Sequence, residues 1–271
     1  MPELPEVETT VRGLAHVLDG ARIDRVILNR PDLRFPFPEG LGQALTGAVV
    51  SGLSRRAKYG LIHTDRGQTM IFHLGMSGRW RINPDAIAKH DHLVMEAGGH
   101  QLALNDPRRF GYVALMDSQQ LDLWPAFAAM GPEPLGPDFT PAHLAAELKG
   151  RKQAIKLLLL DQRLVAGLGN IYVCEALHHA GIDPRRAGGT VSRAAIERLV
   201  PAIRDVLERS IADGGSTLRD FARPDGELGY FATRFAVYGR EGENCLKNDK
   251  GVIQRIVQGG RSTWFCPKCQ R

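Results

Sequence analysis

The stretch from His92 to Met116, HLVMEAGGHQLALNDPRRFGYVALM, holds three short β-rich runs: His92 to Glu96, Gln101 to Leu104 and Tyr112 to Met116. Gly, Pro and Asp stand between them, the punctuation of strands joined by turns. Toward the N-terminus the pattern repeats in Arg25 to Leu28, Gly60 to Thr64 and Thr69 to His73, so the chain from residue 20 to 116 predicts a β-sandwich. In front of it Val7, Val11, Leu14, Val17 and Leu18 recur at helical spacing. This predicts a short helix over Glu6 to Leu18, which would hold the first residues of the chain on a rigid element.

Downstream, Gly131 to Pro137 places three prolines and two glycines among seven residues, a linker composition. Beyond it the periodicity turns helical over Pro141 to Lys149, Lys152 to Leu160, Asn170 to Ala180 and Ser192 to Ala212. Gly167, Gly169 and Gly181 punctuate these runs, and Asp183-Pro184 reads as a turn. From Val237 onward the sequence reads as short hairpins around cysteines. The expected fold class is therefore α+β, with domains at 1–130, 137–230 and 237–271 and a linker at 131–136.

The chain has 271 residues, and 35 Lys and Arg against 30 Asp and Glu give a net charge of +5. That balance is compatible with a polyanionic partner without establishing one. No apolar run approaches the roughly 20 residues that span a bilayer. The acidic start, with Glu3, Glu6 and Glu8, reverses the layout of a signal peptide, and the expected location is the cytoplasm. Of four cysteines, Cys245, Cys266 and Cys269 crowd near the C-terminus, which suits a metal knuckle in a reducing compartment. Cys174 stands alone in an apolar segment and reads as a small core side chain.

The start, Met1-Pro2-Glu3-Leu4-Pro5-Glu6, carries chemistry. A small residue at position two permits removal of the initiator Met, which leaves Pro2 as a free secondary amine. An α-amine has a pKa near 8, so a substantial neutral fraction exists at about pH 7. Attack by this amine on C1′ of a nucleoside expels the base and yields an iminium. Glu3, next in the chain, is placed to donate or shuttle protons.

These residues do not stand alone. The chain resembles the formamidopyrimidine-DNA glycosylases nearly end to end. The matching pieces are MPELPEVET at 1–9, RRAKYG at 55–60, HLGMSG at 73–78, KHDHL at 89–93, NDPRRFG at 105–111 and MGPEPL at 130–135. RKQAIK at 151–156, GLGNIYVCEAL at 167–177, GGSTLRDF at 214–221 and GGRSTWFCPKCQ at 259–270 follow in the family's order. The resemblance implies a second domain with a helix-two-turn-helix motif and a C-terminal zinc-finger-like β-hairpin. It implies a monomeric base-excision-repair enzyme that excises 8-oxoguanine and formamidopyrimidines from duplex DNA and then cuts the strand by β- and δ-elimination. Leu4 favours this purine-directed branch over the endonuclease VIII type, which prefers oxidised pyrimidines. A non-catalytic damage-binding protein is the alternative of another class.

By the same resemblance Pro2 is the Schiff-base nucleophile, Glu3 the adjacent acid, Lys58 the lysine of β-elimination and Arg261 the arginine of δ-elimination. Met76, Arg108 and Phe110 match the residues that fill the duplex when the damaged nucleotide is everted, where apolar wedges restore stacking and Arg bonds the orphaned base. His90, Lys152 and Asn170 match DNA contacts, Asn170 opening a helix whose N-terminus favours a phosphate. Glu6 and Lys156 are assigned to the damaged-base pocket, and Ser216 to Tyr230 to a lesion-capping loop.

The family's knuckle holds one zinc ion on two Cys pairs, and here the chain departs from it. Cys266 and Cys269 are intact, whereas Cys245 has lost its partner. Counted forward from Cys245 that partner falls on Asn248; counted back from Cys266 it falls on Asp249, whose carboxylate is an admissible zinc ligand. The alternatives are a weak or absent site, with the hairpin folded around Trp264 and Phe265, or a sequence alteration that removed the cysteine.

Overall fold

The computed structural model describes residues 1–216, 234–247 and 250–271, which fall into two compact units. The first unit comprises Met1–Ala128 with Ile211–Ala232, the second Ala129–Ser210 with Thr233–Arg271. The C-terminal hairpin thus shares its unit with the helices. No helix among the described residues is long and apolar enough to cross a membrane.

The first unit opens with α1 (Leu4–Leu18). It begins two residues before the predicted start because Glu3 and Glu6 form a capping box, with Pro5 in the first turn where its missing N–H costs nothing. Leu4, Val7, Val11, Leu14 and Leu18 lie on its buried face. Next come β1 (Ile23–Leu28), α2 (Leu41–Leu45), β2 (Val50–Arg56), β3 (Tyr59–Thr64), β4 (Gln68–His73), β5 (Arg79–Ile82), β6 (Asp91–Ala97), β7 (His100–Asn105) and β8 (Tyr112–Asp117). They pair antiparallel as two four-stranded sheets, ordered β1-β6-β7-β5 and β2-β3-β4-β8. The sandwich foreseen from the alternation is present. Between the sheets Ile62, Phe72, Trp80, Leu93, Met95 and Leu104 join Val7 and Leu14 of α1 in one core, each large apolar side chain contributing about 1.5–3 kcal/mol by burial. Gly60 of β3 lies flat beneath the Phe72 ring, and a Cβ there would sit 2.0 Å from it. The short α3 (Pro125–Ala128) closes this unit's first segment.

The second unit carries α4 (Pro141–Leu148), α5 (Ile155–Leu159), α6 (Asn170–Ala180), α7 (Arg193–Ala212) and the hairpin of β9 (Gln254–Gln258) with β10 (Arg261–Phe265). Thr140 caps α4, its Oγ1 accepting the His143 N–H at 3.1 Å. Residues 131–136 are held within this unit: Arg204 donates to the carbonyls of Pro134 and Gly136, and the Gly131 N–H to that of Gln162. The helix predicted over Lys152 to Leu160 forms only from Ile155, because Ala154 bridges to Ala187 and the Ile155 N–H bonds the Arg186 carbonyl. The central α6 is buried on nearly every side, and Gly181 ends it at φ 71°.

Candidate active site and metal centre

The first three residues meet the sandwich at the start of α1. Pro2 is buried, and Glu3 and Glu6 are 3% and 2% exposed. The Glu3 N–H donates to Glu6 Oε2 at 2.8 Å. Glu6 Oε1 accepts the N–H and the Oγ–H of Ser216 at 2.9 and 2.8 Å. The Glu6 carboxylate is therefore spent on fixing the backbone around Glu3 and residue 216. The rest of the predicted capping loop, 217–230, lies outside the described residues.

Lys58 sits on the two-residue turn between β2 and β3, where Arg56 pairs with Tyr59 and Ala57 takes φ 52°. That region is costly for a residue with a Cβ, by about 1–3 kcal/mol, so the turn is held by its surroundings. Arg55 supplies part of the hold: its Nε donates to Glu8 Oε2 of α1 at 3.0 Å and its Nη1 to the Ala57 carbonyl at 2.9 Å. Burial pushes the Glu8 carboxyl up, but the hydrogen bonds and charges of Arg12 and Arg55 outweigh it and leave it below the usual range. The turn bearing Lys58, itself only 7% exposed, is thereby fastened to the helix that begins beside Pro2.

Met76, Arg108 and Phe110 lie on two loops that one buried carboxylate joins. Asp106 accepts the Ser77 hydroxyl at Oδ1, 2.7 Å, and the Gly111 N–H at Oδ2, 2.8 Å, while Ser77 Oγ accepts the Arg108 N–H. Arg108 lies over the Phe110 ring at 4.7 Å, and that ring is 45% exposed. Gly75 presses against the Phe110 backbone at φ 62°, where a Cβ would come within 2.3 Å of the Phe110 carbonyl carbon. His90, half-buried, accepts the Asp106 N–H at its carbonyl.

His73 fixes Gly75 from the other side, its Nδ1 accepting the Gly75 N–H at 3.1 Å. Burial first, then the charges of Lys58 and Arg34, against an opposing Asp106, lower its imidazole to about 4. An unfolded histidine takes its proton near 6.5, so between that pH and about 4 the unfolded chain binds more protons and stability falls as pH falls. The loss is on the order of 3 kcal/mol and is complete below the folded value. Urea unfolding of the wild type and His73→Gln across pH 4 to 7 checks this, the variant losing that part of the slope; parallel curves would refute it.

In the second unit Lys156 is fully buried, its ammonium donating to Thr263 Oγ1 at 2.6 Å and the Ser262 carbonyl at 3.1 Å. Asn170, the first residue of α6, donates through Nδ2 to the same Ser262 carbonyl at 2.9 Å. Both residues thus seat β10 immediately after Arg261, which is exposed, as is Lys152.

The cysteines meet against α6. Cys245 Sγ lies 3.5 Å from Cys269 Sγ, and His178 Nε2 lies 3.3 Å from Cys245 Sγ and 3.7 Å from Cys269 Sγ. Cys266 is within hydrogen-bonding reach of Cys245, and Cys174 packs in the same cluster. A tetrahedral zinc with bonds of about 2.3 Å to sulfur and 2.0 Å to nitrogen would separate its donors by about 3.5–3.8 Å. The Cys245 and Cys269 sulfurs and the His178 imidazole therefore fit one zinc ion, with Cys266 beside Cys245. Asn248 and Asp249 lie outside the described residues. Sequence reasoning missed His178; its signal was the spacing of four from Cys174, which puts both on one helical face.

A helix-led sandwich followed by a helical unit with a cysteine hairpin is the architecture of one class of DNA glycosylases, and comparison assigns each part. Residues 1–113 match the formamidopyrimidine-DNA glycosylase N-terminal domain, 130–222 the formamidopyrimidine-DNA glycosylase H2TH domain, and 251–271 the zinc finger found in FPG and IleRS. The chain is 72% identical to the formamidopyrimidine-DNA glycosylase of Erythrobacter litoralis and 70% identical to that of Novosphingobium aromaticivorans, over all of both chains. Among solved structures, Lactococcus lactis Fpg in complex with an abasic site containing DNA superposes with a TM-score of 0.92 at 37% identity, covering 100% of both chains. The MutM (Fpg) protein of Thermus thermophilus gives 0.90 at 38%, covering 99% of this chain and 98% of the other. The chain belongs to the formamidopyrimidine-DNA glycosylase family.

Proposed function

We propose that this enzyme of base excision repair removes oxidised purines from duplex DNA with the Pro2 amine as nucleophile, and then opens the strand at the same site. The observation that carries this reading is the buried Pro2-Glu3 pair held at the start of α1 by the Glu3 and Glu6 capping box. It is supported by relatives crystallised with Fapy-dG containing DNA and with abasic DNA.

Once Met1 is removed, the Pro2 nitrogen attacks C1′ of an everted nucleotide. The bond from C1′ to the base breaks with its electron pair on the base, which takes up a proton relayed by Glu3. The C1′–O4′ bond then breaks with its electron pair on O4′, which takes up the proton given up by the Pro2 nitrogen, and an iminium joins Pro2 to C1′. The iminium acidifies the C2′ hydrogen, and loss of that proton expels the 3′ phosphate. Loss of the C4′ proton then expels the 5′ phosphate. Lys58 serves the first elimination and Arg261 the second. Glu6 positions Glu3 and residue 216, while Lys156 and Asn170 seat the strand bearing Arg261. Met76, Arg108 and Phe110 occupy the space the everted nucleotide leaves; His90, Lys152 and Asn170 contact the DNA backbone. Zinc bound to the cysteine cluster supplies a structural tie for the hairpin, and no organic cofactor is needed. The enzyme works as a monomer in the bacterial cytoplasm.

The loops set one expectation. Gly75→Ala forces the Phe110 backbone aside and costs about 1–3 kcal/mol of stability. It lowers cleavage of a lesion duplex by roughly 10–100-fold, because the wedge is displaced from its working position. Single-turnover cleavage beside urea unfolding measures both; unchanged cleavage would remove the loops from the reaction. Substrate class is tested on matched duplexes carrying 8-oxoguanine opposite cytosine, a formamidopyrimidine or an oxidised pyrimidine. The purine lesions are expected to give a kcat/KM at least about tenfold higher, a preference of 1.4 kcal/mol or more. Faster pyrimidine cleavage would overturn the assignment.

A further inference from the structure

The cysteine hairpin lacks one thiolate of its family's pattern, yet the structure offers a fourth donor from another element. We infer that His178 is a zinc ligand, so that the ion is held by Cys245, Cys266, Cys269 and His178 and ties the hairpin directly to α6. Its Nε2 lies within 3.3 and 3.7 Å of two of the sulfurs, and the three donors lie within 4.8 Å of one another. Those spacings, with 3.5 Å between the two sulfurs, match three edges of a tetrahedron; Cys266, within hydrogen-bonding reach of Cys245, supplies the third thiolate, and three cysteines with one histidine are a common structural zinc set.

The surroundings serve the same end. His178 is 1% exposed and lies in the last turn of α6, so its ring is committed to the cluster rather than to solvent. The Lys247 N–H bonds Cys245 Sγ, and the Lys247 ammonium bonds the His178 carbonyl at 2.7 Å. One residue thus supports both a thiolate and the histidine, as outer partners of metal ligands do. Glu175, on the same helix, accepts the N–H groups of Ala236, Val237 and Tyr238 at 2.8, 3.0 and 2.8 Å, which seats the chain leading into Cys245. A family finger carries its ligands within its own segment. Here the ligand comes 67 residues before Cys245, from the helix whose first residue, Asn170, bonds Ser262. The hairpin bearing Arg261 is then anchored to α6 at both ends, by Asn170 and by the metal.

Zinc K-edge absorption of the purified wild-type protein tests this without any variant. The expected spectrum fits three sulfurs at about 2.3 Å and one nitrogen at about 2.0 Å, with the outer-shell scattering of an imidazole. Four sulfurs, or a light ligand without imidazole scattering, would overturn the inference in favour of Cys174 or Asp249 respectively. Chelator competition adds a second readout. His178→Ala is expected to weaken zinc binding roughly 100-fold or more, with Asp249→Ala and Cys174→Ser near wild type. His178→Cys is expected to restore binding and, with cobalt, to shift the visible bands toward a four-thiolate spectrum. Wild-type affinity in His178→Ala, or a His178→Cys cobalt spectrum identical to wild type, would contradict it.

Discussion

Pro2→Gly is expected to lower cleavage of an 8-oxoguanine duplex by about 10³-fold or more, since a residue acting as nucleophile has no substitute of equal reach. Glycine still offers an amine, so the loss follows from the nature of that amine. A secondary amine forms an iminium that carries no N–H and stays cationic, whereas the imine of a primary amine is neutral until protonated. The electron sink that drives elimination is therefore permanent with proline and conditional with glycine. Glycine also loses the buried ring that fixes the nitrogen next to Glu3. The capping box of α1 is built from Glu3 and Glu6, so the unfolding free energy should change by no more than about 1 kcal/mol. A folded variant that cleaves within tenfold of wild type would transfer the nucleophile to another amine, Lys58 first among them.

Glu3→Gln separates the two halves of the reaction. The amide keeps the shape of the cap but holds no transferable proton, and general-acid assistance contributes about 10²–10⁴-fold. Release of the base should fall by that factor. A preformed abasic duplex has no base to expel, and its open sugar presents an aldehyde that Pro2 condenses with directly. Strand cleavage there should stay within about tenfold of wild type. Equal losses on both substrates would make Glu3 a structural cap alone.

The sandwich strands bearing aliphatic or β-branched alternation were legible before the structure, and so was the helix behind Pro2. β2 and β5 were not. β2, Val50–Arg56, carries two serines, a glycine and two arginines, and it becomes a strand through its pairing with β3 rather than by its own propensity. β5 has only four residues, too few to show a period. The roles proposed for Pro2, Glu3, Lys58 and Arg261 rest on motif resemblance, whereas the contacts that hold these residues are tertiary. That Arg55 fastens the Lys58 turn through Glu8, or that Lys156 and Asn170 meet at Ser262, depends on contacts across 47, 106 and 92 residues. His178 escaped notice for the same reason. A histidine in an apolar helix reads as core until the fold lays a distant cysteine against it.

The most direct test of the account is borohydride trapping on an 8-oxoguanine duplex followed by proteolysis and mass spectrometry of the adduct. Reduction should fix one sugar remnant per protein, carried on the N-terminal peptide that begins at Pro2, and Met1-retaining protein should give none. An adduct on Lys58 or any other lysine, or cleavage of the duplex with no trapped adduct, would contradict the proline mechanism.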